Sequence, residues 1–292
     1  MFKKEDEIHF SCTQCGKCCD KSPLVNFYDL FNLSDEFVFQ TAHHGFLSYN
    51  NKRLEEELTQ FYRMIGHTLV LPEMDAVLFY YINFMSVEYP QSSCSKLKDN
   101  LCSIYSKRPS SCKLSPINDG FDDTQQWKTI NLFKKNVEEK KWGCDFSKES
   151  PLLYKNQEIY SVNHNSLYFQ SIGTNRDFTD KYVNFIKDGG EKYFQNHFKA
   201  VIQSTMSRSQ MITDLIIPLT TALKDHIVDE STVHEFVENQ IILIEKQLSN
   251  SSLFKIKDNL KVSRLYKKQR DDYKDALKRN IFKLANDDFG VI

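Results

Sequence analysis

The chain has 292 residues, of which 40% are hydrophobic and 26% are charged, proportions that are ordinary for a soluble globular protein. Its formal net charge of −1 gives no overall bias toward nucleic acid, membrane surfaces or acidic partners. The apolar stretches at 76–85 and 211–223 are shorter than the roughly 20 residues that span a bilayer, and the first residues lack the apolar core of a secretory signal. We therefore expect a cytoplasmic protein without a membrane span.

Four of the eight cysteines crowd together near the start of the chain, at Cys12, Cys15, Cys18 and Cys19. Thiolates two residues apart can turn toward one metal, as they do in zinc knuckles and ferredoxin loops. Free cysteine otherwise serves a core as a small hydrophobe, one position at a time. In a long cytoplasmic chain a metal site is expected ahead of a disulfide scaffold.

The middle of the chain predicts mixed structure. A helix is expected near 53–65, and the apolar segment 77–84 fits either a strand or a buried helix, because so short a run has no decisive period. Residues 94–116 are rich in Ser, Asn, Asp, Lys and Pro, a composition typical of loop. The segments 158–162 and 166–170 predict a hairpin.

From Phe178 onward the pattern is helical. Aromatic and aliphatic residues recur at helical spacing up to residue 202, with a break expected at Gly189-Gly190. Thr232 and Glu235 form a capping box. The amphipathic face that follows comprises Val233, Phe236, Val237, Ile241, Ile244 and Leu248. A last helix is expected to carry Leu265, Leu277, Ile281 and Leu284.

The uneven distribution of cysteine suggests two domains, because none occurs after Cys144. We expect a cysteine-cluster metal-binding domain over residues 1–150 and a mostly helical domain over residues 151–292. The predicted fold class is mainly α, with α+β as the alternative, and with an irregular cysteine-rich N-terminal half.

A second group of cysteines follows the first, at Cys94, Cys102 and Cys112, and Cys144 stands apart in Trp142-Gly-Cys-Asp. Together the groups resemble the CxxCxxCC family of zinc- or iron-chelating proteins of the YkgJ type. The family pattern joins F-x-C-x-x-C-G-x-C-C to C-x-x-L and then to C-x-I-Y-x-x-R-P-x-x-C-R-x-F-P. The matching residues are Phe10, Cys12, Cys15, Gly16, Cys18, Cys19, Cys94, Leu97, Cys102, Ile104, Tyr105, Arg108, Pro109, Cys112 and Pro116.

The resemblance covers about residues 8 to 120 and departs from the pattern at two positions, Lys113 in place of Arg and Ser115 in place of an aromatic residue. Neither departure removes a thiol. The resemblance implies a bound zinc or iron centre, and all eight cysteines are candidate ligands.

The residues themselves leave the number and type of centres open. Cys12, Cys15 and Cys18 can direct three thiolates at one centre, with the fourth ligand supplied by a distant cysteine. Gly16 is expected at positive φ, where N–H groups turn toward sulfur. Because adjacent side chains diverge, Cys18 and Cys19 are expected to serve two centres, or one of them to support a ligand without binding. Eight thiolates suit one four-iron cluster plus a second site, or two zinc sites.

The all-cysteine set, without a His at paired spacing, favours iron–sulfur over zinc. Tyr105 and Arg108 are candidate cofactor-contacting residues. Arg108 could donate to cluster sulfur or to a carboxylate substrate, but we favour a structural brace in which it ties loop carbonyls. His9 and the pair His43-His44 are interpreted as surface residues.

Three functions follow from these observations. The first is a metal-binding protein whose helical half is a docking or structural module. The second comes from the resemblance alone: the family includes proteins similar to flagellin lysine N-methylases, which implies an S-adenosylmethionine-dependent lysine methyltransferase with a protein substrate such as flagellin. The third is a metal-delivery or redox-sensing protein. No catalytic residue is identified.

Other classes have little support in the sequence. The chain has no G-x-G-x-x-G after a strand and no P-loop, so neither common nucleotide-binding motif is present. The mixed charges of residues 255–283 are typical of a solvated helix face, and nucleic-acid binding is not expected there.

Overall fold

The computed structural model describes residues 1–19, 24–49, 67–71, 75–86, 94–119, 121–187, 208–213, 215–250 and 259–284. The helices in these ranges are α1 (Phe27–Asn32), α2 (Ser110–Leu114), α3 (Gln126–Glu139), α4 (Val162–Lys187), α5 (Ile216–Lys224), α6 (Glu230–Ser249), α7 (Asn259–Lys278) and α8 (Ile281–Leu284). The strands are β1 (Ile8–His9), β2 (Leu24–Val25), β3 (Phe39–Tyr49), β4 (His67–Leu71), β5 (Ala76–Ser86), β6 (Leu97–Lys98), β7 (Leu101–Cys102), β8 (Leu152–Lys155), β9 (Glu158–Ile159) and β10 (Arg208–Thr213).

The largest sheet is antiparallel and built around β3 and β5, which pair from Phe39 opposite Ser86 to Tyr49 opposite Ala76. β10 adds to β3, and both β2 and β4 pair with β5. The apolar segment 77–84 is therefore a strand. The segment is apolar apart from Asn83 and carries no charge, which fits a strand that has a hydrogen-bonded partner on both sides and so has no exposed edge.

Helices dominate the described residues, as predicted, and the sheet makes the fold a mixed one that corresponds to the α+β alternative. The expectation of an irregular N-terminal half is wrong for residues 39–49 and 76–86, which form the two longest strands. Within the described part of the chain, no helix is both long and apolar enough to cross a membrane.

One hydrophobic core contains Phe39 of β3 and Phe84 of β5 together with residues of α1 and of helices α4 to α8. Phe27 of α1 stacks on Phe178 of α4 with ring centroids 4.3 Å apart, and Phe178 stacks in turn on Tyr182. Two buried glutamines fix the start of β3 against the C-terminal helices. Gln240 of α6 accepts from the Phe39 N–H at 2.8 Å and donates to the carbonyls of residues 34 and 37. Gln269 of α7 donates to the Phe39 carbonyl.

A second hydrophobic core lies beneath the cysteine-bearing segments. Its buried members are Ile8, Phe10, Leu114, Ile117, Ile130, Leu153, Tyr154, Ile159 and Tyr168. β1 pairs with β8, with Ile8 opposite Tyr154, so residues on both sides of position 150 contribute to this core. The division into domains 1–150 and 151–292 stays a prediction.

The predicted hairpin of 158–162 with 166–170 is wrong. The hairpin in this region is formed by β8 and β9, and Asn156 and Gln157 at its turn both have positive φ, as a two-residue type I′ turn requires. Residues 166–170 belong to α4 instead. The apolar side chains Val162 and Phe169, which suggested a strand, are exposed on this helix.

The segment 94–116 is more regular than predicted. It contains the small hairpin of β6 and β7, closed by Asp99 and Asn100 at positive φ, a turn of 3-10 helix at Tyr105–Lys107 and the helix α2. Polar turn residues dominate its composition, so the sequence indicates loop although the backbone is largely hydrogen-bonded.

The cap of α6 differs from the predicted box. Asp229 is the N-cap, and its carboxylate accepts from the Thr232 N–H at 2.7 Å, so the helix begins ahead of Thr232. The predicted apolar face is correct: Val233, Phe236, Val237 and Ile244 are buried, and Ile241 and Leu248 pack against them. In the last helices Leu277 and Ile281 also pack on the core, whereas Leu265 is exposed and the buried apolar side chains of α7 are Tyr266, Tyr273 and Ala276.

The charged C-terminal face carries local ion pairs, among them Lys268 with Asp272 and Arg279 with Asp275, which agrees with a solvated helix surface. Two other expectations, the helix near 53–65 and the break at Gly189-Gly190, lie outside the described residues.

We predict that Gln240→Leu lowers the free energy of unfolding by on the order of 3 kcal/mol, because it leaves one N–H and two carbonyls buried without their partner. Urea denaturation measures the change. Glu238→Leu, on the exposed side of the same helix, should change it by less than about 0.5 kcal/mol. Equal effects of the two substitutions would contradict the role assigned to Gln240.

Candidate metal centre

All eight cysteines line a single cavity of about 270 Å³, together with Tyr105 and Arg108. Seven of the thiols are partly buried and Cys18 is exposed, so the cavity opens to solvent near Cys18. Aromatic rings form part of the wall, contributed by Phe10, Phe37, Phe133 and Trp142. No His, Asp or Glu lines the cavity among the residues that the structure describes, so its metal-binding side chains are thiols.

Backbone pairing brings the first cysteines to Cys144. Ser11 and Asp145 exchange two backbone hydrogen bonds, at 2.9 and 3.0 Å. The Thr13 hydroxyl donates to the Gly143 carbonyl at 2.7 Å, and the Gly143 N–H donates to the Cys15 sulfur at 3.3 Å. The loop after α3 therefore lies alongside the first cysteine segment like a short strand, and this brings Cys144 beside Cys12 and Cys15.

A different contact brings the end of the first segment to the second group. The Cys94 N–H donates to the Cys19 carbonyl at 3.0 Å. Gly16 has φ +68°, and a Cβ atom there would lie 2.4 Å from the Asn100 carbonyl oxygen. The sequence prediction of positive φ at Gly16 is confirmed. Its second role, the close approach to the β6–β7 hairpin, could not be predicted from the sequence and is visible only in the folded structure.

A buried carboxylate orients the helix that carries Cys112. The backbone N–H and the hydroxyl of Ser110 both donate to Asp29 of α1, at distances from 2.8 to 3.1 Å. Burial raises the pKa of Asp29, and the hydrogen bonds from Ser110 and Asn26 oppose that shift. Asp29 was not singled out from the sequence, since an acidic residue in a helical segment gives no sign of a partner 81 positions away.

The thiols destabilise one another's ionised forms. Burial raises the pKa of Cys112 to about 12, and the charges of Cys18 and Cys94 add to the shift. Burial also raises the pKa of Cys144 to about 12, with further contributions from Cys12, Cys15 and Cys18. A cavity in which several thiolates must coexist therefore requires positive charge.

The pKa values of Cys19 and Cys15 are shifted in opposite directions. The hydrogen bond with Cys18, burial and the neighbouring thiolates together raise the pKa of Cys19 strongly. At Cys15 burial acts in the same direction, but hydrogen bonds from the N–H groups of Lys17 and Gly143 and from Thr13 outweigh it and lower the pKa. The net effect of these surroundings is therefore a lower pKa at Cys15.

Arg108 places a cation against the thiols. Its Nη1 donates to the Cys12 sulfur at 3.7 Å, and the guanidinium lies 4.2 Å from the centre of the Tyr105 ring. Stacking on an aromatic face restricts the planar group and leaves its edge free to donate. Donation to sulfur corresponds to the first of the roles considered for Arg108 and not to the favoured brace between loop carbonyls.

The thiols are gathered but do not form a ready-made site for one ion. In the described part of the chain, no three His, Cys, Asp or Glu side chains are arranged so that they could hold a metal ion. A tetrahedral zinc site needs four sulfur atoms about 3.8 Å apart. The donor chemistry fits zinc or iron, because soft thiolates select both, and binding would require the cysteine side chains to turn inward.

Of the histidines interpreted from the sequence as surface residues, His9 has a side chain that the structure describes. His9 lies outside the cavity lining and bonds through Nδ1 to the Ser150 carbonyl at 2.7 Å. His43 and His44 lie on β3, and their side chains are outside the described part. Lys96, which the sequence did not single out, lines the cavity and forms an ion pair with Glu36 at 3.0 Å.

Comparison with known proteins supports the cysteine pattern. Residues 11–145 match the CxxCxxCC family model, which is described as a "Putative zinc- or iron-chelating domain". The predicted resemblance to the CxxCxxCC family is confirmed, and the match extends beyond position 120 to include Cys144. No curated protein and no solved structure gives a significant match.

We predict that Gly16→Ala separates the first cysteine segment from the β6–β7 hairpin. The left-handed conformation costs a residue with a Cβ about 1–2 kcal/mol, and the added atom overlaps the Asn100 carbonyl oxygen. Thermal unfolding should show a loss of stability, with a reduced metal content. Gly173→Ala is the matched control, because a Cβ on this helical glycine meets nothing within 4 Å, and it should be neutral or slightly stabilising. A Gly16→Ala variant as stable as Gly173→Ala would show that the close approach is unimportant.

Proposed function

We propose, on the premise that residues 11–145 match a zinc- or iron-chelating domain, that the cavity binds iron–sulfur through its cysteines. The coarser statement, zinc or iron chelation, is what the family match supports. The choice of iron–sulfur is our own and rests on how the thiols are distributed.

The observation that carries the proposal is that eight thiols share one cavity of about 270 Å³ while no three of them converge on a point suited to one ion. In a structural zinc site four thiolates surround one ion closely. An iron–sulfur cluster spaces its ligands more widely, because each thiolate binds a different iron atom. Thiols that surround a space fit the second arrangement better than the first.

Charge and access agree with this proposal. Bound iron would supply the positive charge that the thiolates need and would give the site one-electron chemistry. The chain's own residues then have distinct tasks. The Gly143 N–H and the Arg108 guanidinium donate to sulfur, and the rings of Phe10, Phe133 and Trp142 keep water from one wall.

The two alternative functions, metal delivery or redox sensing and methyl transfer, are supported by fewer observations. The exposure of Cys18 is the feature that metal delivery or redox sensing would need, since an exchangeable ligand must be reached from solvent. The methyltransferase alternative, with S-adenosylmethionine and a protein substrate such as flagellin, stays a prediction from the family resemblance. Calorimetric titration of the metal-loaded protein with S-adenosylmethionine tests it directly, and absence of binding would remove it.

We predict that the full chain, purified without oxygen, is brown, absorbs in the visible range and contains iron with acid-labile sulfide. Cys112→Ser should lower the iron content markedly. Ser115→Ala, which alters the same cavity wall without removing a thiol, should leave it unchanged. A colourless protein that contains stoichiometric zinc and no sulfide would overturn the iron–sulfur proposal in favour of zinc.

We predict that Arg108→Gln lowers the midpoint potential of the bound cluster. A donor and a positive charge next to a ligand sulfur stabilise the more negative, reduced state, and loss of about 1 kcal/mol corresponds to about 40 mV for one electron. Arg108→Lys, which keeps the charge but loses the planar donor, should shift the potential less. A spectroelectrochemical titration measures both, and an unchanged potential in Arg108→Gln would exclude this role.

A further inference from the structure

We infer that the eight thiols form two separate ligand sets of four, divided between Cys18 and Cys19. The first set is Cys12, Cys15, Cys18 and Cys144, and the second set is Cys19, Cys94, Cys102 and Cys112. This inference rests on the proposed metal-binding function and specifies how the chain divides its thiols.

The first set is defined by the pairing of two chain segments. The hydrogen bonds between Ser11 and Asp145 place Cys12 and Cys144 one residue from a shared backbone bridge. The Gly143 N–H donates to the Cys15 sulfur, so the loop that carries Cys144 touches this thiol directly. Three thiols at a spacing of C-x2-C-x2-C with a distant fourth is the ligand pattern of ferredoxin loops.

The second set is defined by the β6–β7 hairpin and its flanks. Cys94 precedes the hairpin, and its backbone N–H donates a hydrogen bond to the Cys19 carbonyl. Cys102 ends the hairpin, with Leu97 as its partner across the strands. Cys112 follows in α2, held by the bonds from Ser110 to Asp29.

Cys18 and Cys19 are assigned to different sets by the contacts of their backbones, although their thiols share a hydrogen bond. The Cys19 N–H donates to the Gly16 carbonyl at 3.0 Å and its own carbonyl accepts from Cys94, so the backbone of Cys19 is fixed toward the second set. Cys18 is the exposed one of the pair and completes the first.

The division is tested on the unaltered protein by partial metal removal. The anaerobically purified full chain is treated with a chelator for increasing times, alkylated under native conditions, and its intact mass is measured. Two sets of four predict molecules with no, four or eight alkyl groups, the four falling within one set when the peptides are sequenced. A single centre with four thiolate ligands predicts four alkyl groups before any chelator is added and eight afterwards, and this result, or mixed groups of four, would overturn the inference.

Paired substitutions give a second measurement. Cys12→Ser with Cys144→Ser, and separately Cys94→Ser with Cys112→Ser, should each reduce the metal content about twofold, and all four together should abolish it. Complete loss in each double variant, with circular dichroism unchanged, would again indicate one centre. These outcomes are distinct from failure of metal binding, in which the unaltered protein would contain neither iron nor zinc, and from failure of the iron–sulfur proposal, in which it would contain zinc and no sulfide.

Discussion

The mutual repulsion of thiolates around one partly buried cavity is the constraint on which the rest of this structure depends. Eight thiols face the same space, and those that are both buried and close to other thiols resist ionisation. The fold therefore holds together a set of groups that become stable as ligands only when cations enter. The hydrogen bonds from Gly143 and Arg108 to sulfur reduce the repulsion locally.

The cavity is held in shape from two sides by two hydrophobic cores, with Cys94 packed against one and Cys12 and Cys144 against the other. On one side, β1, β8 and the residues that follow α3 pack over the second hydrophobic core. On the other, Asp29 of α1 fixes α2 and belongs to the part of the chain that packs with the C-terminal helices. Buried glutamines such as Gln240 then tie the sheet to those helices. A metal that drew the thiols inward would move side chains on a framework already fixed by hydrogen bonds and apolar packing.

The cysteine pattern specifies more of the site than of the fold. Gly16 is a clear case: its place within the motif indicates positive φ, but only the folded chain shows that the Asn100 carbonyl leaves no room for a side chain. Arg108 is another, because the sequence permits both a brace and a sulfur donor, and the position of the Tyr105 ring favours the donor. The buried face of the helix near residue 240 could be predicted from the spacing of its apolar residues. The strand at 77–84 and the start of α4 could not be predicted in this way, since short apolar runs are ambiguous until their neighbours are known.

By itself the sequence determined that the cysteines at 12–19 and 94–112 follow one zinc- or iron-chelating pattern, and that most of the C-terminal part is helical. These features are local, in spacing and in period, and so can be read along the chain. Tertiary structure decided that Cys144 joins the first cysteines, that Asp29 orients the helix of Cys112, and that all eight thiols line one cavity. Those contacts link residues about 80 to 130 positions apart, and no local pattern encodes which distant segments will meet when a backbone finds its hydrogen-bond partners.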